Sequence, residues 1–76
     1  MVKLYIVAYK VKDPTEPSHS YVIDDKNAKM KDIFANKGFI NYGKYGIILD
    51  SHFDVIGSWE GKRVRTTIGA TIKYGL

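Results

Sequence analysis

The chain has no cysteine. That excludes a disulfide-stapled scaffold and any thiolate metal site, and it is compatible with a reducing compartment. It has only two histidines, His19 and His52. A zinc site would need both together with carboxylates, and they read instead as surface turn residues. No apolar run approaches the about 20 residues that a membrane-spanning helix requires. The segment Leu4–Tyr9, between Lys3 and Lys10, is shorter than the about 7–15 apolar residues of a signal peptide, and no small-residue cleavage site follows it. It reads as a strand, and the expected location is the cytoplasm. There is no internal repeat, linker or low-complexity tract.

The 76 residues form one domain, 1–76, with a net charge of +4 and a pI near 9.4. A domain this small buries only about 60% of its unfolded surface. The basic balance favours phosphate backbones or acidic protein surfaces as partners.

One stretch organises the rest. Asp24 to Gly38 reads as a helix, about residues 25–37. Asp24 or Asp25 serves as N-cap, Lys37 lies in the last turn and Gly38 stands at the left-handed stop. Met30, Ile33 and Phe34 fall at i, i+3, i+4 and make one apolar stripe. A helix of this length is marginal alone and must dock on something flat and apolar.

The remainder alternates with period two. Val2, Leu4, Ile6 and Ala8 face a core, while Lys3, Tyr5, Val7 and Tyr9 face out. Asp13 to Ser18, with both prolines, is a turn. Tyr21–Ile23 makes a return strand antiparallel to the first. Gly38 to Gly46 reads as a helix stop, a strand entry and a turn whose aromatics close the edge of a small core, the alternative being a flexible loop that stacks bases. Ile47–Leu49 and Phe53–Trp59 are strands around a turn at Asp50-Ser51-His52. Glu60-Gly61 is a tight hairpin connection. From Arg63 to Tyr74 a last long strand puts Val64, Thr66, Ile68, Ala70, Ile72 and Tyr74 on one side. Arg63, Arg65 and Lys73 lie on the other, with Gly69 a candidate bulge that would reset the faces. The predicted fold is α+β, a two-layer sandwich of one short helix on a mostly antiparallel sheet of about five strands, in the order β-β-α-β-β-β.

Catalytic patterns fail on geometry. Asp50-Ser51-His52 has the letters of a triad, but adjacent residues do not converge as nucleophile, base and orienter. Gly57 to Arg63 has three residues between its glycines where a phosphate loop has four, and Arg63 where a hydroxyl is required. No carboxylate pair stands out for acid–base work. An RNA-recognition sheet needs two helices and a glycine–aromatic strand signature. The expectation is therefore a protein without catalytic residues, metal or cofactor.

What remains is the uncovered sheet face. Arg63, Arg65, Tyr5 and Tyr9 line it, Lys62 flanks it at the hairpin, and Lys73 joins it if the alternation holds. Arginine offers a planar fork for carboxylate or phosphate, tyrosine offers rigid stacking area, and both are enriched at protein hot spots. The alternative is that the arginines only solubilise an exposed sheet face and guard an edge.

The layout is a strand, a Pro/Ser-rich turn, a strand, one helix and strands joined by Trp59-Glu60-Gly61-Lys62-Arg63. It resembles small phage anti-CRISPR proteins. The resemblance implies a non-enzymatic inhibitor, phage- or mobile-element-encoded and working in the host cell cytoplasm. Such an inhibitor docks on a nucleic-acid-guided protein or ribonucleoprotein effector and blocks target access. The alternative is a direct, sequence-tolerant nucleic-acid binder. Neither reading involves a membrane. An exposed strand edge would support a dimer without requiring one.

Overall fold

The computed structural model describes residues 2–12 and 16–76. Five strands, β1 (Val2–Tyr9), β2 (His19–Asp25), β3 (Tyr45–Leu49), β4 (Val55–Glu60) and β5 (Arg63–Thr66), make one antiparallel sheet in the order β2-β1-β3-β4-β5. Two short helices, α1 (Met30–Asn36) and α2 (Ile68–Tyr74), and a 3-10 turn at Gly38–Tyr42 complete it. The α+β class, the sheet and its strand count stand as the sequence implies.

The period-two pattern decides which side is inside. Leu4, Ile6 and Ala8 are fully buried, and Ile48 lies beside Ile6 on β3. Phe34 of α1, Phe39 of the 3-10 turn, Trp59 of β4 and Ala70 of α2 close over them in one apolar cluster. The Trp59 indole N–H donates to the Gly43 carbonyl at 2.9 Å, so the one polar atom of that ring is satisfied. The aromatics after α1 do close the core, through Phe39.

Several boundaries differ from the sequence reading, each for a local reason. The helix expected over 25–37 starts only at Met30, because Asp24 and Asp25 extend β2 opposite Lys3 and Val2. The N-cap is Lys29, with no side-chain bond, while the Asp25 carboxylate accepts from the Asn27 amide at 2.9 Å. The left-handed stop is Lys37, at φ 53°, and not Gly38. Phe34 is nonetheless buried, and Met30 and Ile33 pack half-buried against the same core. His19 belongs to β2, not to a turn, and its ring stacks on Tyr42 at 4.6 Å. The turn expected over 13–18 lies partly outside the described residues. Its far end is pinned by Ser18, whose amide and hydroxyl both donate to the Ala8 carbonyl.

β4 begins at Val55, and its register against β3 slips between Ile48 and Leu49. Ile48 opposes Gly57 and Leu49 opposes Val55, so Ile56 is the extra residue. Such a bulge lets neighbouring residues share a side. Ile56 and Gly57 are accordingly both buried, and Val55 is exposed. The hairpin to β5 uses Gly61 and Lys62, with Glu60 opposite Arg63. Gly61 takes φ 59°, the positive angle that the first residue of such a loop demands.

The largest correction concerns the last segment. β5 ends at Thr66, and residues 68–74 are helical. The Thr67 hydroxyl accepts from the Ala70 amide at 3.2 Å, and Gly75 closes the helix at φ 71°. Gly69 is a residue of α2, not a bulge. The order is therefore β-β-α-β-β-β-α, with two helices instead of one.

Candidate functional site

Both helices bury their side chains on one side of the sheet. The register lays out the other side as cross-strand rows. Val22, Tyr5, Leu49 and Val55 form one row. Ser20, Val7, Ile47, Ser58 and Arg65 form the next. Tyr9, Tyr45, Glu60 and Arg63 form a third. Tyr5, Val7, Tyr9, Tyr45, Ile47 and Leu49 are half-buried by their neighbours, and no element of the described residues packs over them.

The apolar centre is rimmed with cations. Arg63 and Arg65 are exposed on the β5 edge and project from the same side, about 6.6–6.8 Å apart along the strand. The Lys3 ammonium sits 5.6 Å from the Tyr5 ring centre, and the Lys44 ammonium lies equally far from that of Tyr45. Among the described residues the one ion pair joins Lys73 and Asp50, so neither arginine is within 4.0 Å of a carboxylate. Tyr45, Ser58, Glu60, Arg63 and Arg65 bound a notch of about 130 Å³ at this rim.

Four of the predicted contact residues, Tyr5, Tyr9, Arg63 and Arg65, thus share one face, and Lys62 stands beside it in the hairpin loop. Lys73 does not. It belongs to α2, on the side of the sheet that carries the core, and its ammonium lies 3.7 Å from Asp50. The alternation that placed it with the arginines ends where β5 ends.

Sequence reasoning missed two residues. Phe53 is 64% exposed, yet its backbone is left-handed, at φ 64°. A bulky side chain rarely adopts that region, which costs about 1–2 kcal/mol. Its ring lies 4.6 Å from that of Tyr5, a member of the first row. Such a displayed, strained aromatic is a mark of functional segments.

Asp50 holds it there. The Asp50 side chain is 1% exposed. One carboxylate oxygen, Oδ1, accepts from the amides of His52 at 2.8 Å and Asp54 at 3.0 Å, which cinches the turn that carries Phe53. The other, Oδ2, accepts from the Tyr74 hydroxyl at 2.6 Å and faces Lys73. Burial alone would push this carboxyl up. The Tyr74 hydroxyl, the Asp54 and His52 amides and the Lys73 charge together outweigh burial and hold it below its ordinary value. The Tyr74 bond in turn raises Lys73, and the bond to Asp50 raises Tyr74. The turn itself was legible from Asp50-Ser51-His52. A partner twenty-four residues downstream was not.

Among the described residues no group of three or more histidine or acidic side chains is placed to hold a metal, and no helix is long and apolar enough to cross a membrane. Comparisons with protein-family models, curated proteins and solved structures found no match to this chain.

Proposed function

We propose that this is a non-enzymatic binding protein that works through its uncovered sheet face. The face docks on an acidic protein surface of a nucleic-acid-guided effector of the CRISPR type and blocks access to the target. The observation that carries the reading is the composition of that face. Branched aliphatics and tyrosines fill its middle, Phe53 stands at one end, and arginines with no ion-pair partner among the described residues stand at the other. A protein interface has the same anatomy, an apolar centre with aromatic and arginine anchors and a polar rim. A surface for nucleic acid would instead carry its positive charge along the whole track of the backbone. The middle row here sets Val7 and Ile47 between Ser20 and Ser58, and its one cation, Arg65, stands at the β5 end, so positive charge does not run across the face.

The test uses purified, guide-loaded effector complexes of the different types with labelled target DNA. The expected result is loss of target binding by at least one complex, relieved by Arg63→Glu with Arg65→Glu and by Phe53→Ala. No effect on any complex, or a double-charge variant as potent as the native chain, overturns the proposal. Retention of naked DNA by the chain alone would establish the nucleic-acid reading instead, if affinity falls with log salt at a slope of about −0.9 per phosphate.

A further inference from the structure

Two strands of the sheet have a neighbour on one side only, and they are built differently. β5 is four residues long and carries Arg63 and Arg65, the kind of charge that keeps an edge from pairing. β2 is seven residues long, with sequence His-Ser-Tyr-Val-Ile-Asp-Asp. It holds no lysine, arginine or proline, and its acidic residues sit at one end. Among the described residues no strand pairs with its outer side. An edge of this length with an apolar centre is a template for another strand.

The chemistry of this edge is self-complementary. Set a second copy antiparallel to it about a two-fold axis through Val22. Val22 then meets Val22, Tyr21 meets Ile23, Ser20 meets Asp24 and His19 meets Asp25. These are a branched aliphatic pair, an aromatic on an aliphatic, a hydroxyl on a carboxylate and an imidazole on a carboxylate. All are favourable cross-strand combinations. Other registers lose this match. An axis at Ile23 sets Val22 against Asp24 and Tyr21 against Asp25. An axis at Asp24 sets one carboxylate against its own copy. An axis at Tyr21 leaves Asp24 and Asp25 outside the pairing.

The geometry points to a symmetric dimer in which a second copy of this chain docks along β2, antiparallel and centred on Val22. The interface is isologous and closes at two subunits. It joins two five-stranded sheets into one, and the row Val55, Leu49, Tyr5, Val22 runs on into its own copy across the axis. The inference stands on the edge strand alone and does not depend on the proposed function.

The absence of cysteine makes the register directly testable. In Val22→Cys the two introduced thiols face each other, with Cα atoms about 4.5–5.5 Å apart. That falls within the about 4.4–6.8 Å a disulfide spans. In Asp24→Cys the two thiols lie four residues apart along the strands, about 13–14 Å. In a mild thiol-exchange buffer at micromolar protein, Val22→Cys is expected to collect as cross-linked dimer while Asp24→Cys stays at background. The native chain should sediment with a mass rising with concentration toward twice 8.6 kDa. Val22→Lys, which sets a charge against its own copy, should sediment as a monomer with unchanged circular dichroism. A native chain monomeric at every concentration overturns the inference, and so does Asp24→Cys cross-linking as readily as Val22→Cys. A dimer in which Val22→Cys fails to cross-link places the contact elsewhere and overturns it as well.

Discussion

The indole of Trp59 lies flat over Gly46, its cross-strand partner on β3. A methyl group built at position 46 would overlap the ring. Gly46→Ala must therefore push the indole from its place between Phe39 and the sheet and strain its bond to the Gly43 carbonyl. Overpacking of this kind costs about 1–3 kcal/mol. Urea unfolding should report the loss, and the Trp59 emission should shift to the red as the ring meets water. An unchanged midpoint would show that the strands part without cost.

Asp50 gives the fold an acid sensitivity with a defined sign. Its carboxyl is lower in the folded chain than the ordinary 3.8, so its contribution is complete above that value and is lost as pH falls through the folded value below it. Asp50→Asn should flatten the stability profile in that acid window. Asp50→Ala should cost about 1–3 kcal/mol for each buried donor left unpaired. Urea midpoints measured from neutral pH downward check both.

Phe53→Gly separates display from stability. It removes a left-handed backbone cost of about 1–2 kcal/mol. It also removes an aromatic contact with Tyr5 worth about 0.5–1.5 kcal/mol. The two nearly cancel, so the melting temperature should hardly move while partner binding weakens. A large drop in melting temperature would show that the ring is a core residue, not a displayed one.

Burial, with the Tyr42 phenol adding to it, pushes Tyr21 up to about 12. The folded value lies above the ordinary 10.0, so its share of stability is complete below pH 10 and is lost as pH rises toward 12. Alkaline titration followed by phenolate absorbance should show late-ionising tyrosines, and Tyr21→Phe should remove one of those steps.

Much of this architecture was legible because period two is hard to mistake where one face is dry. Leu4, Ile6 and Ala8 announced β1, and Met30, Ile33 and Phe34 announced the docked stripe of α1. Residues 67 to 75 misled because Thr67, Ile68, Thr71 and Ile72 favour strands by propensity, and alternation there mimics an edge. The helical reading was also present, in Thr67 as N-cap, Ala70 and Tyr74 four apart, and Gly75 as stop. Packing chose it: Ala70 enters the core, and Ile68 and Ile72 are left 81% exposed. On the uncovered face the arginines and tyrosines followed from alternation alone. Phe53 did not, since nothing local signals a positive φ on phenylalanine.

The sharing of one carboxylate between two distant segments has a consequence for biosynthesis. Asp50 gains its full set of partners only after Tyr74 has left the ribosome. A chain that stops short of Tyr74 keeps the residues of all five strands and of the Phe53 turn, but the brace beneath that turn is half made. A prematurely released product would thus keep its strands and still present a slack Phe53 turn.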